Sequence, residues 1–93
     1  MTGELRAEVV AGPGGVMTDE VGVVTGDLAV VTRPLPGDRA SVAVQYVGAE
    51  EWYTLTGTPC PVPGGGLAAF HEALLARIRA GGTSEGLPAG LPQ

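Results

Sequence analysis

Lysine is absent from this chain of 93 residues, which also has one cysteine and few aromatic residues: one Trp, one Phe and two Tyr. A single thiol, Cys60, cannot close an internal disulfide, and chains without disulfides are typical of reducing compartments. With so few rings, we expect a core built mainly of Val, Leu and Ala. A lysine-free chain rich in Ala, Gly, Val and Pro is typical of a GC-rich bacterial genome.

Positive charge is also scarce, because five arginines stand against ten carboxylates and the net charge is −5. Binding a phosphate backbone requires a clustered basic surface, so we expect no nucleic-acid partner. The same balance disfavours an anionic membrane surface, and no apolar run approaches the length of about 20 residues that spans a bilayer. The first residues lack the basic and apolar regions of a signal peptide. We therefore expect a cytoplasmic protein with no membrane partner.

Apolar residues make up 44% of the chain and charged residues 16%, a balance that predicts a folded domain. The length predicts one small domain. Glycine and proline cluster between the apolar stretches and near the end of the chain. We expect residues 1–16 to be a flexible arm or an extra edge strand. Residues 17–82 are expected to form a single α+β domain, and residues 83–93 a disordered tail.

Residues 41–57 alternate in polarity with a period of two and hold three of the aromatic side chains, which predicts a β-hairpin. A four-residue loop at 48–51 places Tyr46 opposite Tyr53 and Val44 opposite Leu55. The valines and tyrosines then share one face, while smaller and more polar side chains share the other with Trp52. A three-residue loop would mix the two sets, so we prefer the four-residue loop.

A second hairpin is predicted where residues 21–25 and 28–32 flank Gly26-Asp27. Glycine first in a two-residue loop suits a type II′ turn and pairs Thr25 with Leu28. Both faces of this hairpin are apolar, and a sheet of that kind needs a cover on each face.

The one clear helix is predicted over residues 67–80, after a proline-rich crossover at 58–66 and before Gly81-Gly82. At 100° per residue one apolar stripe forms along this helix. Its members are Leu67, Phe70, His71, Leu74 and Ile78. The expected fold is α+β: an antiparallel β-meander of four strands, or five with the N-terminal segment, and one C-terminal helix packed on one sheet face.

Sequence patterns for catalysis are weak. Cys60 and His71 are the only nucleophile–base pair available, and they lie where the crossover meets the helix. The glycines at 64–66 lack the accompanying residues of a phosphate-binding loop, and one Cys with one His does not make a zinc site. We expect no enzyme, no catalytic residue, no metal and no cofactor. A small-molecule or thiol-dependent site at Cys60 and His71 is the alternative hypothesis.

The apolar second sheet face predicts a surface for protein binding instead. Because one helix covers only one face, Trp52 and its neighbours remain available as interface anchors. The residues expected in this interface are Trp52, Val47, Val31, Val24 and Ala43. The sequence therefore predicts a small acidic interaction module that forms a homodimer or binds a protein partner.

Overall fold

The computed structural model describes residues 3–62 and 64–81, which form seven strands and one helix. The strands are β1 (Leu5–Val10), β2 (Val16–Thr18), β3 (Gly22–Val24), β4 (Asp27–Leu35), β5 (Arg39–Tyr46), β6 (Tyr53–Thr54) and β7 (Cys60–Pro61), and the helix is α1 (Leu67–Ala80). The predicted tail at residues 83–93 lies outside the described residues.

A five-stranded antiparallel sheet in the order β1-β4-β5-β6 forms the body of the fold, and β7 also pairs with β5. The helix packs on one face of this sheet, where Phe70, Leu74 and Ile78 are fully buried. The predicted α+β class, with one C-terminal helix on one sheet face, is confirmed. The described helix is too short and too polar to cross a membrane.

Within the N-terminal segment, Leu5–Val10 form β1 at one edge of the main sheet. Six residues of β1 pair with β4, from Leu5 opposite Thr32 to Val10 opposite Asp27. Val9 enters the core, while Arg6, Glu8 and Val10 are exposed. The short side chain of Ala7 packs at the margin of the core.

The predicted hairpin across Gly26-Asp27 is wrong. β3 turns back onto β2, with Val24 opposite Val16, and Leu28 lies between Val9 and Tyr46. Gly26 has a φ of 88° and forms a corner between two sheets instead of a tight turn. The alternative pairing gives β4 a long partner on each side, and those two ladders satisfy more backbone groups than one short local hairpin.

The β5–β6 hairpin has the predicted faces but a different register. Val44 lies opposite Tyr53 and Ala43 opposite Thr54, two residues from the predicted pairing of Tyr46 with Tyr53. A shift of two residues keeps each side chain on its own face. The shift brings Leu55 beside Val42 in the core, where the Leu55 N–H donates to the Val42 carbonyl.

The small β2–β3 sheet closes the β6 edge. The Asp19 N–H donates to the Thr54 carbonyl and the Thr56 N–H to the Met17 carbonyl. Glu20 adds a carboxylate that accepts from both the N–H and the hydroxyl of Thr54, each at 2.7 Å. These bonds lower the pKa of Glu20 from its usual value. The β6 edge is therefore paired.

Candidate functional site

The sheet face opposite the helix is the candidate site, and we call it the open face. Alternation along the strands assigns its members. They are Arg6, Glu8 and Val10 of β1, Ala29 and Val31 of β4, Ala43 and Gln45 of β5, Val47 just after β5, Trp52 just before β6, and Thr54 of β6.

Trp52 and Arg6 meet across the centre of this face. The Arg6 guanidinium carbon lies 5.5 Å from the centre of the indole ring, a cation–π distance. Arg6 belongs to the β1 edge and Trp52 to the β6 edge, so their contact spans the small side chains of β4 and β5 between them. This explains why Val31 is only 4% exposed although no helix lies over it.

The five predicted interface residues do not form one surface. Trp52 and Val47 remain accessible, at 39% and 45% exposure, and Ala43 is half-buried between them and Val31. Val31 lies beneath the Trp52–Arg6 contact. Val24 belongs to the hydrophobic core, because β3 pairs with β2 and does not extend the main sheet. Its assignment to the open face is therefore corrected.

Val10 is an exposed apolar residue of the open face that the sequence analysis missed. Its side chain is 63% exposed, and with Val47 it borders a groove of about 440 Å³. Glu8, Asp27 and Arg79 also line this groove together with Val9, so charged groups of both signs surround its three valines. The alternating pattern of residues 5–10 was the signal that could have identified it.

His71 joins the helix to the sheet. Its Nδ1 lies 2.7 Å from the Thr32 hydroxyl oxygen, and both residues are buried. Burial lowers the pKa of the imidazole, against a smaller opposing effect of the Glu72 carboxylate. Burial therefore favours the neutral ring, and its hydrogen bond links the helix to the sheet.

Cys60 lies at the start of β7, opposite Ala40 of β5. Its side chain is partly buried against the core, and burial raises the pKa of the thiol in spite of the Arg39 charge. A raised pKa lowers the thiolate fraction, which is the opposite of what a nucleophilic cysteine requires. The hydrogen bond described for His71 is to the Thr32 hydroxyl and not to Cys60.

The junction of crossover and helix has a groove of its own, of about 290 Å³. Leu35 and Arg39 line one side, and Val62 and Leu67 the other, whereas neither Cys60 nor His71 reaches it. Residues 3–62 and 64–81 contain no cluster of three or more His, Cys, Asp or Glu side chains that would hold a metal ion.

Comparison with protein-family models, curated proteins and solved structures found no match to this chain.

Proposed function

We propose that this chain is a non-enzymatic interaction module that binds a protein through the open face. The protein bound is a second copy of the chain or a partner of another sequence. As part of this proposal the module acts in the cytoplasm, which agrees with its single cysteine.

The exposed indole of Trp52 is the observation that carries the proposal. Tryptophan is enriched among residues that dominate binding energy, because a large flat ring buries much area at low entropic cost. Here Trp52 lies on a strand-built surface, with the Arg6 guanidinium carbon 5.5 Å from the centre of its ring. We infer that this contact orders the ring before a partner binds, so that less conformational entropy is lost on binding.

The surroundings of Trp52 also suit a protein ligand. Val47 and Val10 extend the apolar area toward one end of the sheet, and Glu8, Asp27 and Arg79 supply charges at its border. Apolar and aromatic side chains together with arginine, flanked by other charged groups, are common in protein–protein interfaces.

In the alternative function, a small molecule would bind in the groove of about 290 Å³ at the start of the helix, whereas a thiol-dependent site would lie outside it at Cys60. Its volume lies at the lower end of ligand pockets, which supports a small ligand at most. The raised pKa of Cys60 disfavours thiol chemistry. Fast labelling of Cys60 below neutral pH would restore the thiol-dependent alternative.

Site-specific photocrosslinking tests the open face directly. We would place a photoreactive amino acid at Val47 and irradiate cells that express the protein naturally. The proposal predicts a discrete adduct, whose mass distinguishes a second copy from another protein. Trp52→Ala should strongly reduce the yield of this adduct, since it removes the anchor but not the probe.

The matched control carries the same probe at Ala76, which lies on the exposed side of the helix. This control should give little adduct. Equal yields at the two positions, or no adduct at Val47, would contradict the proposed function.

A further inference from the structure

β1 lies at one edge of the main sheet, and among the described residues no strand pairs with the outer side of its backbone. The Ala11 N–H donates to the Gly26 carbonyl, in the same register as the β1–β4 pairs. Because hydrogen-bonded pairs alternate along an antiparallel ladder, Leu5, Ala7 and Val9 direct their backbone groups toward β4. The N–H and C=O groups of Arg6 and Glu8 therefore point outward from the sheet.

The side chains of β1 also leave its outer edge accessible. Arg6 and Glu8 are exposed, and Leu5 and Ala7 are only partly buried. The helix packs on the face that carries Val9, and among the described residues no backbone group is bonded to the outward groups of Arg6 or Glu8. An edge of this kind is a template for one more strand.

We propose that two copies of this chain associate by pairing their β1 strands antiparallel, with Arg6 of each copy opposite Glu8 of the other. Ala7 then lies opposite Ala7 of the second copy, on the two-fold axis. The main sheets of both copies join into one continuous sheet with both helices on the same side. This inference uses the edge of the sheet and does not rest on the proposed function of the open face.

Charge complementarity selects both the occupant and the register. Opposite charges across a strand pair stabilise it, and like charges destabilise it. Residues 5–9, L-R-A-E-V, read apolar, basic, small, acidic, apolar, so an antiparallel copy matches each charge with its opposite. Sliding by two residues one way places Arg6 opposite Arg6, and the other way places Glu8 opposite Glu8.

The helix side of the same strands also fits a second copy. In the proposed register Leu5 lies opposite Val9 of the second copy, and the reverse pair follows by symmetry. Leu5 is half-exposed in the single chain, so pairing would shield part of an apolar side chain. The small side chain of Ala7 allows the two strands to approach closely at the axis, where the pair is not hydrogen-bonded.

The register is tested by exchanging charges. In Arg6→Glu both cross-strand contacts become Glu–Glu, and in Glu8→Arg both become Arg–Arg. We expect sedimentation to show a wild-type dimer of twice the 9.3 kDa chain mass. Each single variant should dissociate with a Kd raised about tenfold or more. An equimolar mixture of the two variants should recover the dimer as a heterodimer, because every contact is again Arg–Glu.

The double variant Arg6→Glu/Glu8→Arg should also recover a homodimer. It loses the contact with Trp52 just as Arg6→Glu does, so its recovery separates charge pairing from damage to the open face. Glu50→Arg is the matched control for Glu8→Arg, because it makes the same charge change at an exposed loop position. It should leave the Kd unchanged, and circular dichroism of all variants should confirm the folded state.

A wild-type chain that stays monomeric at every concentration would overturn the inference, and the charges of β1 would then only protect its edge. A dimer that resists both single variants but dissociates in Trp52→Ala would also overturn it, because the copies would meet through the open face. That second result would leave the proposed function standing. If the charge variants behave as predicted but no adduct forms at Val47, the inference stands and the proposed function is contradicted.

Discussion

At the scale of single residues, His71 shows how burial changes the role of a side chain. An imidazole is a candidate acid or base in a sequence, but here it bonds to Thr32 beneath the helix. Its burial favours the neutral form, so protonation and folding oppose each other. We therefore expect His71 to affect the pH dependence of stability.

We expect stability to fall in mild acid because of His71. Its pKa is lowered in the folded state from the usual value of 6.5, so the unfolded chain binds the proton more readily. The contribution of His71 to the free energy of unfolding should therefore decrease as the pH falls below about 6.5, and become constant below its folded-state pKa. Urea unfolding at a series of pH values measures this slope. His71→Gln should flatten it, and an unchanged slope in that variant would contradict the assignment.

Trp52 and Arg6 should be energetically coupled, because the guanidinium lies over the indole at 5.5 Å. Both side chains are exposed, so we expect a coupling energy of only about 0.5–1 kcal/mol. The double-mutant cycle of Trp52→Ala and Arg6→Ala, followed by denaturant unfolding at low protein concentration, measures it. Additive losses would show that the ring is held by the sheet alone.

At the scale of elements, strand faces and strand partners have different origins. A period of two in the sequence assigns side chains to faces, and those assignments held for the β5–β6 hairpin although its register differs by two residues. The pairing of β4 with β1 depends on residues distant in the chain. No local turn signal at Gly26 could reveal it.

The adjacent valines of β1 provide a direct test of whether this strand belongs to the sheet. Val9 is 5% exposed and Val10 is 63% exposed, so two adjacent valines differ in environment. Val9→Ala should cost about 1.5–3 kcal/mol, since it removes buried methyl groups from the core. Val10→Ala should change the free energy of unfolding by less than about 0.5 kcal/mol. Equal effects in thermal or denaturant unfolding would mean that β1 is not part of the sheet.

The end of the helix docks on the turn after β1, and Gly12 is required for this contact. Its N–H donates to the Ile78 carbonyl at 2.8 Å, and a Cβ on Gly12 would lie 2.6 Å from the Gly81 nitrogen. Because backbone atoms cannot move away cheaply, Gly12→Ala should destabilise the fold by about 1–3 kcal/mol.

Gly64→Ala is the matched control, since a Cβ there would meet no atom within 4 Å. We expect it to be neutral or to stabilise by about 0.4–1 kcal/mol through the unfolded chain. Equal melting temperatures for the two variants would show that the helix end is free of the turn.

At the scale of the whole molecule, one core serves the described sheets and helix. Phe70, Leu74 and Ile78 of the helix share this core with buried residues of β1 to β5 and with Leu55. Small domains have little reserve stability, so the loss of one core side chain affects the entire fold.

Leu74→Ala should therefore cost about 2–5 kcal/mol, a large part of the stability of a domain of this size. Ala76→Ser, on the exposed side of the same helix, should cost under about 1 kcal/mol because helix propensity is its main effect. Chemical denaturation of both variants compares the two faces. Similar losses would mean that the helix is covered on both sides.

The sequence alone determined the helix, most of its buried stripe and the faces of the β5–β6 hairpin, because these follow from periodicity within a few neighbouring residues. It also marked Trp52 and Val47 as open-face residues. Tertiary structure decided that β1 pairs with β4, that β3 pairs with β2, and hence that Val24 is in the core and Val10 at the surface. Strand partners follow from the competition among distant segments for backbone hydrogen bonds and buried area, and no local pattern records that outcome.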